Sequence, residues 1–152
     1  MAALANLNEH DHYMRLCIAL AWRARETNDP AVGSIIVQAG AIVAEGVEAV
    51  RGHKDVTAHA EIEAVRAACK KLGSLDLTGC TLYTTVEPCV MCAYAIRLAR
   101  VTMIVAGVRQ ADPSASARSF AALTDVAFVP NRQPVVFIRD VLADECRALL
   151  QK

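Results

Sequence analysis

Residues 81–99 read TLYTTVEPCVMCAYAIRLA and place a strand directly before a helix. The β-branched and aromatic run at 81–86 is typical of a buried strand, and Glu87-Pro88 ends it. Residues 90–99 are apolar almost all the way round, which predicts a helix covered on both sides. One side would face the sheet and the other a second subunit; the alternative is a well-buried helix in a monomer.

Strand and helix patterns alternate along the rest of the chain. Two β-branched runs flank Gln38-Ala39-Gly40, which is a hairpin signal. We predict strands at 34–37, 41–48, 81–86, 101–106 and 134–138, helices at 11–27, 57–72, 90–99, 115–123 and 140–152, and a polar loop at 51–55. This order predicts an α/β protein: a three-layer α/β/α sandwich around a mixed five-stranded sheet, in a single domain at 1–152.

Composition limits the possible partners. Sixteen basic and sixteen acidic side chains give zero net charge, so we expect long nucleic acid not to be a partner. Apolar residues make up 55% of the chain but are interrupted by charges, well short of the ~18 consecutive residues that a membrane span needs. Because residues 1–9 lack a secretory leader pattern, we expect a cytoplasmic protein.

Two of the six cysteines have a spacing that suggests metal binding. Cys89 and Cys92 lie three apart on the first turn of a predicted helix, so both can point at one ion, and His59 begins another helix. One imidazole and two thiolates suit zinc, and three ligands leave a fourth position open for water, as in catalytic sites. A structural zinc site would need a fourth ligand such as His53 or Cys80, although His53 also fits a surface loop. The other cysteines, Cys17, Cys69, Cys80 and Cys146, fit small buried apolar positions.

Glu61 follows His59 by two residues and projects beside the ligand set. A carboxylate there can take a proton from a zinc-activated water and pass it to a leaving group, acting first as a general base and then as a general acid. The alternative is an acidic residue that only complements the N-terminal dipole of its helix.

These motifs resemble a known enzyme superfamily. His59-Ala60-Glu61 followed by Pro88-Cys89-Val90-Met91-Cys92 resembles the zinc-dependent cytidine/deoxycytidylate deaminases. Ala31-Val32-Gly33 and Leu142-Ala143-Asp144-Glu145-Cys146 extend the resemblance to the branch with guanine deaminase, fungal cytosine deaminase and tRNA adenosine deaminases.

The resemblance implies hydrolytic removal of an exocyclic amine as ammonia, with Zn2+ as cofactor and Glu61 as the proton shuttle. It further implies that the N–H of Ala60 contacts the substrate and that the backbone carbonyl of Glu87 receives the departing amine. It also implies parallel pairing of the last two strands and a homodimer, which agrees with the apolar helix at 90–99.

Departures from the branch bear on the substrate. Most members carry Asn where this chain has Glu48, and an ionised carboxylate only accepts hydrogen bonds. A substrate that contacts Glu48 should therefore present N–H groups; the alternative is that Glu48 points to solvent. Asp112 is a second candidate substrate contact, although it also fits a surface turn.

The tRNA enzymes carry Arg-Asp after the fourth strand, a loop of small residues and a basic tail. This chain has Arg109-Gln110, a different loop at 111–116 and no basic tail. We therefore expect a small heterocyclic substrate of the guanine, cytosine or aminotriazine type. The alternatives are a tRNA-specific adenosine deaminase and a non-catalytic zinc-stabilised partner subunit; Glu61 argues against the latter, because a scaffold needs no proton shuttle.

Overall fold

A computed structural model describes the backbone of residues 2–151 and the side chains of residues 8–151. One five-stranded sheet, in the order β2-β1-β3-β4-β5, organises the chain. The strands are β1 Gly33–Gln38, β2 Ala41–Val47, β3 Cys80–Val86, β4 Met103–Val108 and β5 Val136–Ile138. The helices are α1 Ala2–Ala21, α2 Val50–His53, α3 Ala60–Leu72, α4 Val90–Leu98, α5 Pro113–Thr124 and α6 Ala143–Leu149, and α1 continues as a 3-10 helix, Trp22–Thr27.

The sheet is mixed, as predicted. β1 pairs antiparallel with both β2 and β3, whereas β3, β4 and β5 run parallel to one another. The parallel pairing of β4 and β5 confirms what the resemblance implied. Since α4 connects β3 to β4, its N-terminus lies at the carboxyl end of β3.

Helices cover both faces of the sheet, which confirms the three-layer architecture. Apolar residues of α3, α4 and α5 form a core with one face, including Ile62, Ile96 and Leu123. Residues of α1 and α6 form a core with the other face, including Met14 and Cys146. Among the described residues, no helix is long and apolar enough to cross a membrane.

The structure corrects several predicted boundaries. The polar loop at 51–55 is in part a short helix, α2, because the buried Asp29 carboxylate accepts the N–H groups of Arg51 at 2.7 Å and Gly52 at 3.1 Å. The last strand is shorter than predicted: the N–H of Val135 bonds to the carbonyl of Leu123 in α5, outside the sheet.

Helix α4 buries one side and exposes an apolar stripe on the other. Val90, Tyr94 and Leu98 are 40–48% exposed and recur every fourth residue, so they share one face. That stripe is compatible with the predicted homodimer, which remains a prediction.

The prediction of an apolar α4 missed the role of Arg97, which is 1% exposed. Its guanidinium donates to four backbone carbonyls, those of Ala122 (3.0 Å), Asp125 (2.6 Å), Val129 (3.4 Å) and Arg132 (2.7 Å). Planar guanidinium groups suit such multiple bonding, because their donors spread in a fixed fork. Arg97 therefore holds the connection between α5 and β5 against α4.

Replacing Arg97 with Ala should lower the free energy of unfolding by more than about 3 kcal/mol, because buried carbonyls lose a charged donor and a cavity remains. Urea unfolding followed by circular dichroism measures this. Arg118→Ala is the matched control: Arg118 is exposed on α5, and its loss should change stability by less than about 0.5 kcal/mol. Equal effects of the two substitutions would contradict the role given to Arg97.

Candidate active site

Three metal-ligand side chains meet where α3 and α4 begin. His59 is the residue before α3, Cys89 is the residue before α4, and Cys92 lies one turn into α4. The Nδ1 atom of His59 is 3.6 Å from the sulfur of Cys89 and 3.6 Å from that of Cys92. All three ligand atoms lie within 4.8 Å of one another.

This donor set fits a zinc ion. Zinc bonds of about 2.0–2.3 Å in a tetrahedron place neighbouring ligand atoms roughly 3.5–3.8 Å apart, which matches the two distances of 3.6 Å. Within the described part of the chain, His59, Cys89 and Cys92 are the one group of three or more such residues that could hold a metal ion. His53 instead lies 3.6 Å from Glu63, so the structure offers no support for a fourth protein ligand there.

Hydrogen bonding among the ligands shifts their pKa values. The hydrogen bond from Cys92, followed by that from His59, lowers the pKa of Cys89 to about 4. The contact with Cys89 raises the pKa of His59 to about 9. The hydrogen bond between Cys92 and Cys89, together with burial, raises the pKa of Cys92. Metal binding must therefore displace protons from His59 and Cys92, so it should be pH-dependent.

Glu61 is buried beside this cluster, with 4% of its surface exposed. Its Oε1 accepts the hydroxyl of Thr84 at 3.0 Å, and its Oε2 lies 3.6 Å from the sulfur of Cys92. Burial raises the pKa of Glu61 to about 7. A carboxyl group with a pKa near neutrality is suited to both taking up and releasing a proton.

Glu48 follows β2 and also turns inward. It is 9% exposed, and its Oε2 accepts the N–H of Ala60 at 3.0 Å. The carboxylate thus faces Ala60 rather than solvent. A substrate that uses the Ala60 N–H would have to displace Glu48 or share that donor.

Comparison with known proteins places this geometry in a family. The model of the cytidine and deoxycytidylate deaminase zinc-binding region matches residues 7–108. The chain belongs to this family. Its members are zinc-binding deaminases, which are hydrolases of cyclic amidines.

Two kinds of deaminase occur among the similar proteins. A tRNA-specific adenosine deaminase of Aquifex aeolicus is 40% identical over 62% of the chain, and the match spans 63% of that relative. One from Bacillus subtilis is 34% identical over 95% of the chain and 88% of the relative. Guanine deaminase of the same organism is 39% identical over 68% of the chain and 67% of the relative.

A solved structure extends the similarity to nearly the whole chain. It comes from a study of A-to-I editing by tRNA:A34 deaminases at the wobble position of transfer RNA. It is 31% identical to this chain and superposes with a TM-score of 0.81, covering 91% of this chain and 99% of that one.

The remaining predicted site residues differ in where the structure places them. Glu87 lies between β3 and Cys89, and its side chain is buried, with the hydroxyl of Ser116 2.6 Å from Oε2. Asp112 is exposed at the N-terminus of α5, and its Oδ1 accepts the N–H of Ser114 at 2.9 Å. The structure therefore gives Asp112 a helix-capping role, and it brings Glu48, Ala60 and Glu61 together at the start of α3.

Sequence reasoning missed Thr84, which anchors Glu61. Thr84 is fully buried and lies two residues after Leu82 in β3, so both side chains face the same core. The sequence did carry a signal for this role: Thr84 is a polar residue at a position where the alternation of the strand predicts a buried side chain. A buried hydroxyl group needs a hydrogen-bond partner.

The position of His59 depends on a close approach between α3 and β2 at Gly46. A Cβ atom at Gly46 would overlap the carbonyl oxygen of Ala60 and lie 2.5 Å from the backbone nitrogen of Ala64. Only glycine allows the first turn of α3 to lie this close to the sheet.

Gly46→Ala should move α3 outward, weaken zinc binding at least about tenfold and lower the melting temperature. Competition with a chromogenic chelator measures zinc affinity. Gly33→Ala is the matched control, because a Cβ at Gly33 would collide with α1 on the opposite face, 2.8 Å from the nitrogen of Ala21. It should destabilise the fold but leave zinc affinity within about twofold; parallel losses of zinc affinity in both variants would refute the argument.

Proposed function

We propose that this protein is a hydrolytic deaminase whose substrate is adenosine in tRNA. The observation that carries the hydrolytic chemistry is the burial of Glu61 beside the His59, Cys89 and Cys92 cluster. The substrate class is supported by the similarity to tRNA adenosine deaminases, one of which aligns over most of both chains. That similarity conflicts with the prediction that nucleic acid is not a partner.

In this proposal, His59, Cys89 and Cys92 hold zinc, which when bound lowers the pKa of a coordinated water molecule. Glu61 takes a proton from the attacking water and delivers it to the exocyclic amine, which leaves as ammonia. The Thr84 hydroxyl keeps the Glu61 carboxylate turned toward the cluster. The N–H of Ala60 and the carbonyl of Glu87 are the proposed backbone contacts to the ring and to the departing amine.

A non-catalytic, zinc-stabilised partner subunit is less consistent with this geometry. Burying Glu61 among Cys92 and Thr84 raises its pKa and costs stability, and a scaffold gains nothing in return. The proposed assembly is a homodimer, supported by the apolar stripe of Val90, Tyr94 and Leu98 on α4.

Glu61→Gln should reduce deamination by at least about 100-fold, because an amide has the same shape but cannot carry the proton. The assay is inosine formation in a tRNA anticodon stem-loop with adenosine at the wobble position, alongside zinc content. Glu63→Gln is the control: Glu63 lies on the same helix and pairs with Arg66 at the surface, and its loss should leave turnover intact. Substantial turnover by Glu61→Gln with zinc still bound would exclude the proton-shuttle role.

A second candidate function is deamination of a small free heterocycle. It is favoured by Glu48, whose buried carboxylate can accept N–H groups of a ring but cannot, when ionised, donate to a ring nitrogen. Guanine, for example, presents several N–H groups, whereas adenosine presents chiefly acceptor nitrogens around its ring. The zero net charge of the chain also provides little general attraction for RNA.

Glu48→Asn should separate the two candidates. If Glu48 binds N–H groups of a free base, Asn should lower kcat/KM for that base by about 10- to 100-fold, since a hydrogen bond to a charged group contributes about 1.5–3 kcal/mol. If the substrate is adenosine in tRNA, Asn should preserve or increase activity on the stem-loop. Ammonia release from guanine, adenine, cytosine, their nucleosides and aminotriazines, and inosine formation in the stem-loop, are measured for both proteins. An unchanged substrate ranking would show that Glu48 does not contact the substrate.

A further inference from the structure

The carboxylate of Glu87 is at the centre of a buried polar cluster that the proposed mechanism does not use. Its Oε2 accepts the Ser116 hydroxyl at 2.6 Å and the backbone N–H of Gln110 at 3.2 Å. Its Oε1 lies 3.2 Å from Nη2 of Arg139. We call Glu87, Gln110, Ser116 and Arg139 the Glu87 cluster; it connects the turn after β3 to α5 and to the segment after β5.

Arg139 is itself held in place. Its guanidinium lies over the rings of Phe120, 4.2 Å from the centroid, and Phe137, at 4.9 Å. The contact with Glu87 is an ion pair rather than a well-directed hydrogen bond, since neither Glu87 Oε1 nor Arg139 Nε has a hydrogen-bond partner among the described residues. Arg139 therefore supplies a fixed positive charge that compensates a buried carboxylate.

Pro88, the residue after Glu87, is also held by α5 and the loop before it. The carbonyl of Pro88 accepts Nε2 of Gln110 at 3.0 Å and also the hydroxyl of Ser119. The residue after Pro88 is the zinc ligand Cys89. Two consecutive residues before this ligand are thus fixed by side chains from α5 and the loop before it.

We propose that Ser116, Gln110 and Arg139 are positioning residues for the zinc site, acting on Cys89 through the Glu87 carboxylate and the Pro88 carbonyl. None of the three reaches the metal ligands; each restricts the peptide that carries Cys89. Ligand atoms must lie within a few tenths of an ångström of ideal geometry to bind zinc tightly, so this restraint bears directly on metal retention. The effect on turnover rests on the proposed deaminase function, whereas the effect on zinc does not.

Ser116→Ala tests the proposal in the zinc-loaded protein. Loss of the hydroxyl should speed zinc release to a chromogenic chelator about tenfold and, if the protein is a deaminase, lower kcat about tenfold while KM changes less than about twofold. A rise in KM with unchanged kcat and unchanged zinc release would instead assign Ser116 to substrate binding and overturn the proposal.

Two controls separate positioning from general destabilisation. Ser114→Ala removes an exposed hydroxyl from the same helix and should leave zinc release at the wild-type rate. Val37→Ala removes buried apolar atoms from the core on the opposite face of the sheet and lowers the melting temperature without touching the cluster. Zinc release from Val37→Ala as fast as from Ser116→Ala would overturn the proposal. Faster release from Ser116→Ala alone supports it, even if the wild-type protein deaminates none of the substrates offered.

Discussion

The structure depends on bringing the N-termini of two helices, α3 and α4, side by side at the carboxyl ends of β2 and β3. His59 precedes α3, Cys89 precedes α4, and their ligand atoms are 3.6 Å apart. That separation needs α3 to lie against β2 at Gly46 and α4 to follow β3 through a short turn at Glu87-Pro88. Both helix dipoles then direct their positive ends at the metal position, which favours thiolates there.

The same convergence concentrates negative charge. Burial raises the pKa of both Glu48 and Glu61; the nearby Cys89 thiolate raises both further, and the charge of Glu48 adds to the shift of Glu61. A cation at this position relieves that repulsion, so metal binding contributes to folding as well as to chemistry. The chain thus tolerates an electrostatic arrangement that would be unfavourable in a protein without a metal ion.

The metal-ligand set and the order of strands and helices were predictable from the sequence, because they follow from local spacing. Cys89 and Cys92 are one helical turn apart, so their shared direction follows from helix geometry, and the hairpin of β1 and β2 follows from short-range turn chemistry. Contacts between distant residues were not predictable. Asp29 shapes α2 from 22 residues away, and the partners of Arg97 lie 25 to 35 residues further along the chain. Nothing in the local pattern around Glu87 indicates that its side chain meets Ser116 rather than the substrate.

The acceptors of Arg97 have a consequence for synthesis on the ribosome. All three zinc ligands are outside the ribosome once residue 92 has emerged, but the carbonyls that accept the Arg97 guanidinium belong to residues 122–132, which emerge later. Until that segment emerges, burying α4 would leave a cation without acceptors, so α4 cannot dock fully on the nascent sheet. The ligands for zinc are therefore available to the metal before the domain around them can close.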